Sequence, residues 1–283
     1  MNPPAANPNS SEDSWAREVE NRDRFQFGAN WASFLHRLTP ERIERAEQSL
    51  KYFLGATSLE GKRFVDIGSG SGLFSLAARR LGAIVTSFDF DAQSVACTAE
   101  LKRRYFDGNP QWTVRRGSIL DPEILASLGE FDIVYSWGVL HHTGAMWEAL
   151  ENAGKMVAPG GLLFIAIYDD RGRKSRFWKR FKHLYVKTPK PLKWGLFIPA
   201  FMKIWGPTLL KDTLKGRPLA SWKGYAGRGM DAWHDLLDWL GGYPFEVARP
   251  DSIISFYRER GFALKNVKIS AGGCNEFVFG RAR

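Results

Sequence analysis

Cysteine is almost missing: Cys97 and Cys274 are the only two in 283 residues. That excludes a disulfide framework and a cysteine-based structural zinc site, and it predicts a reducing, cytoplasmic setting. Long apolar runs are missing too. The best, from Trp194 to Met202, is bounded by Lys193 and Lys203 and broken by Pro199, short of the roughly 20 residues a spanning helix needs, so no bilayer crossing is expected. Residues 1–14 have neither the positive start and apolar core of a signal peptide nor any apolar periodicity, and their Pro, Asn, Ser and Ala read as a disordered tail. Acids are scarce in one region only. Residues 171–223 hold fifteen Lys or Arg against one acid, Asp212, so this stretch carries +14 in a chain of net charge +10, leaving about −4 for the remainder. The basicity belongs to one segment.

What is present is ordinary for a soluble globular protein: 25% charged and 44% apolar residues, in a chain long enough to bury the core of one decorated domain. From Arg63 to Tyr168 short apolar runs alternate with amphipathic stretches, the pattern of βαβ units feeding a parallel sheet. Strands are predicted at 63–67, 84–89, 112–117, 131–137 and 161–168. Helices are predicted at 72–81, 92–105 and 146–157, the last stopped by Ala158-Pro159-Gly160-Gly161. Thr39-Pro40-Glu41 reads as the cap and first turn of a helix reaching Leu54. The alternation then lapses for about 80 residues, too many for a structureless loop, so helices are expected there. It resumes at Arg249-Pro250-Asp251 with a helix to Arg260 and strands at 263–269 and 276–280. The resulting segments are a tail (1–14), an N-terminal helical lid (15–60), an α/β core (61–170), a basic aromatic helical insert (171–248) and a C-terminal helix with two strands completing the sheet (249–283).

The stretch Asp66-Ile67-Gly68-Ser69-Gly70-Ser71-Gly72-Leu73 runs from a buried strand through three alternating glycines into a helix. Such a turn lets backbone approach a ligand closely and presents free N–H groups at the helix start. Counting Gly68 as the first position, the sixth is Leu73, so the dinucleotide fingerprint fails, and no Gly-Lys-Ser/Thr follows for a phosphate loop. Asp89 ends the second strand about 20 residues later, where an acid can hold two ribose hydroxyls, while Asp91 sits at the cap of the next helix. Farther on come Gly117-Ser118-Ile119, then Ser136-Trp137-Gly138-Val139-Leu140-His141-His142, then Val157-Ala158-Pro159-Gly160-Gly161.

Asp-x-Gly-x-Gly-x-Gly followed by these motifs in order resembles the class I S-adenosylmethionine-dependent methyltransferases, and is most similar to the bacterial branch that includes the ubiquinone-biosynthesis O-methyltransferases. The resemblance implies a Rossmann-like, open, mostly parallel seven-stranded sheet flanked by helices, with a helical insert after strand five. It implies S-adenosylmethionine as cofactor, S-adenosylhomocysteine as product and no obligatory metal. Asp66, Gly68, Ser69, Gly70, Gly72, Asp89, Phe90, Ser118, Ile119, Ser136 and Trp137 would then line the cofactor site. Ser118 departs from the acid that many relatives carry at the adenine.

An oxygen acceptor must lose its proton to a base tuned near neutrality, and histidine is the usual choice. His142 stands first because it follows strand four at the carboxyl edge of the sheet, where ligands bind in open α/β folds. His141 is second and His234, with Asp235 as a possible partner, third. Helix capping or plain packing explains these histidines as well. Phe27, Trp31, Tyr168, Trp233, Tyr243 and Glu246 are the candidate acceptor-pocket residues, polar groups among aromatics.

In the insert, Phe177, Trp178, Phe181, Leu184 and Tyr185 recur at helical spacing with Lys179, Arg180 and Lys182 between them, a basic amphipathic helix suited to an anionic membrane surface and a lipophilic acceptor, prenylated or quinone-like. A phosphate-bearing or saccharide acceptor, a solvated lid and a non-catalytic cofactor-binding protein stay open beside it. Nucleic acid is disfavoured because no RNA-binding module accompanies the charge.

Overall fold

The computed structural model describes residues 21, 28, 31, 35, 38–225, 232–270 and 273–283. The expected tail at 1–14 and Phe27 lie outside the described residues, as does most of 15–37.

The first described helix, α1 (Pro40–Leu54), starts with proline at its first turn, buries Ile43, Ala46, Leu50, Phe53 and Leu54 along one face, and ends at Gly55 in the left-handed region. Thr39 holds the cap position, but its hydroxyl makes no capping bond. Then β1 (Arg63–Ile67), α2 (Leu73–Arg80), β2 (Ile84–Asp89), α3 (Ala92–Phe106), β3 (Trp112–Arg116), α4 (Pro122–Leu128) and β4 (Phe131–Trp137) alternate as the apolar runs predicted. The expected strand at 112–117 stops one residue early. The short helix α4, capped by the Asp121 carboxylate on Glu123 N and Ile124 N, was not expected.

After a 3-10 turn (Leu140–His142) and α5 (Met146–Lys155) comes β5 (Val157–Tyr168). The expected helix over 146–157 overruns: Val157 already pairs with Phe131, and the next pair is Ile133 with Leu162. The Pro-Gly-Gly segment is therefore a bulge inside the strand rather than a turn before it. The C-terminal part supplies α10 (Pro250–Arg258), β6 (Phe262–Lys268) and β7 (Cys274–Arg281), so the last strand is longer than the predicted 276–280.

These strands form one seven-stranded sheet in the order β3-β2-β1-β4-β5-β7-β6. All pairs from β3 through β5 are parallel, and β7 runs antiparallel to both β5 and β6. Side chains alternate across it as strand geometry requires. Phe64, Tyr135 and Phe164 face a core built with Leu50, Phe53, Leu76 and Leu101. Val65, Val134, Leu163 and Ile165 face the other, with Leu150, Ile253 and Tyr257.

The insert is helical, as expected: α6 (Arg173–Lys187), α7 (Lys193–Leu214), the single turn α8 (Ala220–Lys223) and α9 (Ala232–Gly241). It has its own core, with Tyr185, Phe197, Ala200, Leu236 and Leu240 surrounded by Trp178, Phe181, Trp222, Trp233 and Trp239. Many of the insert's aromatics are thus spent on its own packing. No helix among the described residues is long and apolar enough to cross a membrane.

Candidate active site

The carboxyl ends of β1 and β2 meet in the glycine loop. Gly68, Gly70 and Gly72 have φ of +74°, +55° and +80°, a conformation that side chains resist. Space excludes them as well. A Cβ on Gly68 would run into Val139, and one on Gly72 would lie 2.9 Å from Thr98 Cα. Asp66, 2% exposed, is held by a relay of buried donors: Trp112 Nε1 donates to Ser87 Oγ at 2.9 Å, Ser87 to Ser75 Oγ at 2.7 Å, and Ser75 to Asp66 Oδ2 at 2.5 Å. Ser69 Oγ lies 2.9 Å from Thr98 Oγ1, which ties the loop to α3.

Asp89 faces this loop. Its Oδ2 accepts from Gly70 N and its Oδ1 from Asp91 N, both at 2.9 Å. Removal from water pushes the Asp89 carboxyl up to about 6, against the pull of those two N–H groups. Asp91 caps α3 through Gln93 N, as its position predicted, and its other oxygen accepts from Gly28 N at 2.7 Å. Trp31 closes over the loop, so near that a Cβ on Gly70 would sit 3.0 Å from its indole.

The remaining residues expected here are placed as follows. Phe90 gives its carbonyl to Arg116 Nε at 3.2 Å. Ser118 Oγ accepts from Leu120 N at 3.1 Å, while Ile119 is buried in the second core. Ser136 Oγ donates to the Ile67 carbonyl at 3.0 Å, pinning β4 to β1. Trp137 packs against the first core.

The residues expected on the acceptor side lie beyond β4 and β5. His142 Nδ1 is 2.6 Å from the Pro244 carbonyl, so that nitrogen carries the proton. The ring also packs on Gly242, where a Cβ would sit 2.7 Å from its Cε1. Glu246 N donates to the His141 carbonyl at 3.0 Å, and Glu246 Oε2 accepts from Met146 N at 3.1 Å, capping α5. The segment 242–246 is thereby sewn onto the end of β4. Tyr243 lies tilted against His183, with ring centroids 4.9 Å apart.

His141 is different. It is 0% exposed, and neither ring nitrogen has a hydrogen-bond partner among the described residues. Its ring lies 4.2 Å from Tyr168 and 4.4 Å from His142. Burial, then His142 and Lys182, hold the imidazole well below its ordinary range, with the Ala166 backbone the smallest, opposing influence. Burial pushes the Tyr168 hydroxyl up. His234, 2% exposed, and Trp233, 5.4 Å from Phe197, sit on α9 in the insert, and the Asp235 carboxylate accepts from the Tyr225 hydroxyl at 2.7 Å.

The pattern of a methyltransferase domain matches residues 31–215. The chain belongs to the methyltransferase domain family. Among curated relatives, the ubiquinone biosynthesis O-methyltransferase of Parvibaculum lavamentivorans is 33% identical over 143 residues, covering 47% of this chain and 52% of the relative. That of Caulobacter sp. is 30% identical over 175 residues, covering 56% and 66%. The chain thus spans between half and two thirds of the length of these relatives. In fold it is similar to the magnesium protoporphyrin IX methyltransferase of Synechocystis PCC 6803, solved with bound SAH, at TM-score 0.51 and 13% identity over 97% of this chain and 96% of that one.

One residue of this methyltransferase domain escaped sequence reasoning. Lys182, counted among the solvent-facing cations of the insert, is 0% exposed. Its Nζ lies 4.3 Å from the Trp239 ring, 5.0 Å from Phe245 and 5.7 Å from Tyr168. The signal was its spacing. Four residues after Trp178 and three before Tyr185, it falls on the inward face of a helix.

Proposed function

We propose that the chain is an S-adenosylmethionine-dependent methyltransferase acting on an oxygen of a lipophilic small molecule, prenylated or quinone-like, delivered from an anionic membrane surface. The observation that carries the cofactor half is the junction of Asp89 with the glycine loop: a half-buried carboxylate beside backbone that has no room for side chains. Asp89 would hold the ribose hydroxyls, the loop at 68–72 would lie against the nucleoside, and Asp66 would orient the methionine end. The cofactor supplies a methyl group already activated by positive sulfur. The protein's own tasks are to align the acceptor, exclude water and take a proton, which the cluster of Tyr168 with the buried His141 and Lys182 suits.

The membrane half rests on α7. Trp194, Ile198, Met202, Leu210 and Leu214 are 58%, 57%, 58%, 62% and 80% exposed. Steps of four keep Trp194, Ile198 and Met202 within about 80° on one outward stripe, while Leu210 and Leu214 lie farther round the helix. That stripe lies in the segment of charge +14, and cations near an anionic bilayer contribute about 1 kcal/mol each. A second reading, a phosphate-bearing or saccharide acceptor, is favoured by a groove of about 410 Å³ lined by Arg173, Lys174, Phe177, Trp178, Lys203 and Ile204.

Calorimetry with S-adenosylhomocysteine tests the first half, and absence of heat on folded protein overturns it. Flotation with anionic liposomes at low and high salt tests the second: protein that stays at the bottom at low salt removes the membrane. Acceptor-dependent formation of S-adenosylhomocysteine separates an enzyme from a non-catalytic binder.

A further inference from the structure

We propose that Lys182 is the general base of the transfer, its amine taking the acceptor's hydroxyl proton inside a cage of Tyr168, Trp239 and Phe245. The inference rests on the oxygen-acceptor reading above.

Position comes first. Gly68 of the cofactor loop abuts Val139 so closely that no Cβ fits between them. Val139 opens the turn that carries His141, whose ring lies 4.2 Å from Tyr168, and Tyr168 in turn lies 5.7 Å from Lys182 Nζ. These residues lead from the loop at the end of β1, past the end of β4, to the end of β5 where the amine lies.

Burial comes second. Lysine is among the residues least often fully buried unless paired. Lys182 Nζ is buried and has no hydrogen-bond partner among the described residues, and nor has either nitrogen of the neighbouring His141. Two buried polar groups without such partners, both set against Tyr168 at the carboxyl end of β5, leave a lone pair and donors to be met by a ligand's polar group. Among the described residues, Asp238 and Cys274 favour the charged form electrostatically, and His141 and Tyr168 are the other titratable groups facing the amine.

Chemistry comes third. Enclosure pushes the Lys182 amine down to about 7, so a neutral amine is available at neutral pH, where a base works best. Burial holds the His141 imidazole well below its ordinary range, and His142, whose Nδ1 donates to the Pro244 carbonyl, has its basic Nε2 packed against Gly242. In the step, the acceptor's O–H bond breaks and its proton joins the nitrogen lone pair. The oxygen's electron pair forms the new C–O bond as the C–S bond breaks, with its electrons going to sulfur. Positive charge is lost at sulfur and gained as ammonium, which the three ring faces stabilise. On product release the ammonium gives its proton to water.

The test joins a titration to a substitution. Carbon-13 lysine labelling, with the Lys182 resonance assigned by its loss in K182M, should give a midpoint near 7, and a midpoint above about 9, close to an unperturbed lysine, overturns the proposal. With a panel of phenols and benzoquinols as acceptors, K182M should lose roughly 10²–10⁴-fold in turnover at unchanged affinity for S-adenosylhomocysteine. K182R should fail equally, because a guanidinium stays charged. Turnover retained by K182R or K182M removes the base role. Wild-type protein that binds S-adenosylhomocysteine but methylates no member of the panel overturns the oxygen-acceptor reading, and the base with it. An active wild type beside an equally active K182M overturns Lys182 alone.

Discussion

Burying Lys182 has a thermodynamic signature that requires no acceptor. Its amine titrates at 10.5 in the unfolded chain and is pushed down to about 7 by burial. Between those values the unfolded chain binds more protons than the folded one, so stability rises with pH across that window. Below the folded value the full cost is present, about 5 kcal/mol at ~1.4 kcal/mol per pH unit, and above the unfolded value it is gone. Methionine keeps the length and apolar stem without the charge. Urea unfolding of wild type and K182M in parallel cancels every other titrating group. Wild type should gain about 3 kcal/mol relative to K182M between about pH 7 and about pH 9.5. If the two curves run parallel, the amine titrates normally and the enclosed cage is wrong.

Three other perturbations follow from the same geometry. With Asp89 holding the ribose as proposed, the hydroxyls would donate to its ionised carboxylate, so the raised Asp89 value of about 6 predicts that S-adenosylhomocysteine affinity, measured by calorimetry, falls as pH drops through that value. Asp89→Asn should weaken binding by roughly 1.5–3 kcal/mol and remove the pH dependence; wild-type affinity in the variant refutes the assignment. Gly242→Ala would place a Cβ 2.7 Å from His142 Cε1 and 3.0 Å from the Asp238 carbonyl. It should lower stability by about 1–3 kcal/mol in urea titration, and a neutral result refutes the tight packing of the 242–246 turn. Ile198→Glu with Met202→Glu should abolish flotation with anionic liposomes while leaving S-adenosylhomocysteine affinity unchanged, and continued flotation would remove α7 from the membrane contact.

The sheet was legible in the sequence because parallel strands buried on both faces read as short apolar runs, and 63–67, 84–89 and 131–137 matched residue for residue. The glycine turn was legible because left-handed backbone packed this closely needs small residues at fixed places. What failed has physical causes. Pro-Gly-Gly looks like a stop, yet long-range pairing of Val157 with Phe131 begins β5 before it. Helix α4, with no fully buried residue, has too weak an apolar face to announce itself. The bond from Met146 N that lets the Glu246 carboxylate cap α5 spans 100 positions, which no local pattern reveals.

Lys182 is the more instructive failure, because it shows why net charge is a poor guide to what a basic segment does. Composition counts fifteen cations between 171 and 223 as one property, whereas helix geometry divides them. On α6, Lys179, Arg180 and Lys187 are exposed, as are the apolar Phe177 and Leu184, while Lys182 is enclosed. One helix therefore presents a basic apolar surface outward and a single amine inward, toward Tyr168 at the end of β5. If both proposals hold, the two faces separate experimentally: charge reversal at Lys179 and Arg180 should weaken flotation and leave the titration of Lys182 where it was. Substitution of Lys182 should leave flotation intact and remove the base. A surface variant that shifted the Lys182 midpoint by more than about one unit would show the faces to be electrostatically joined and undo the division.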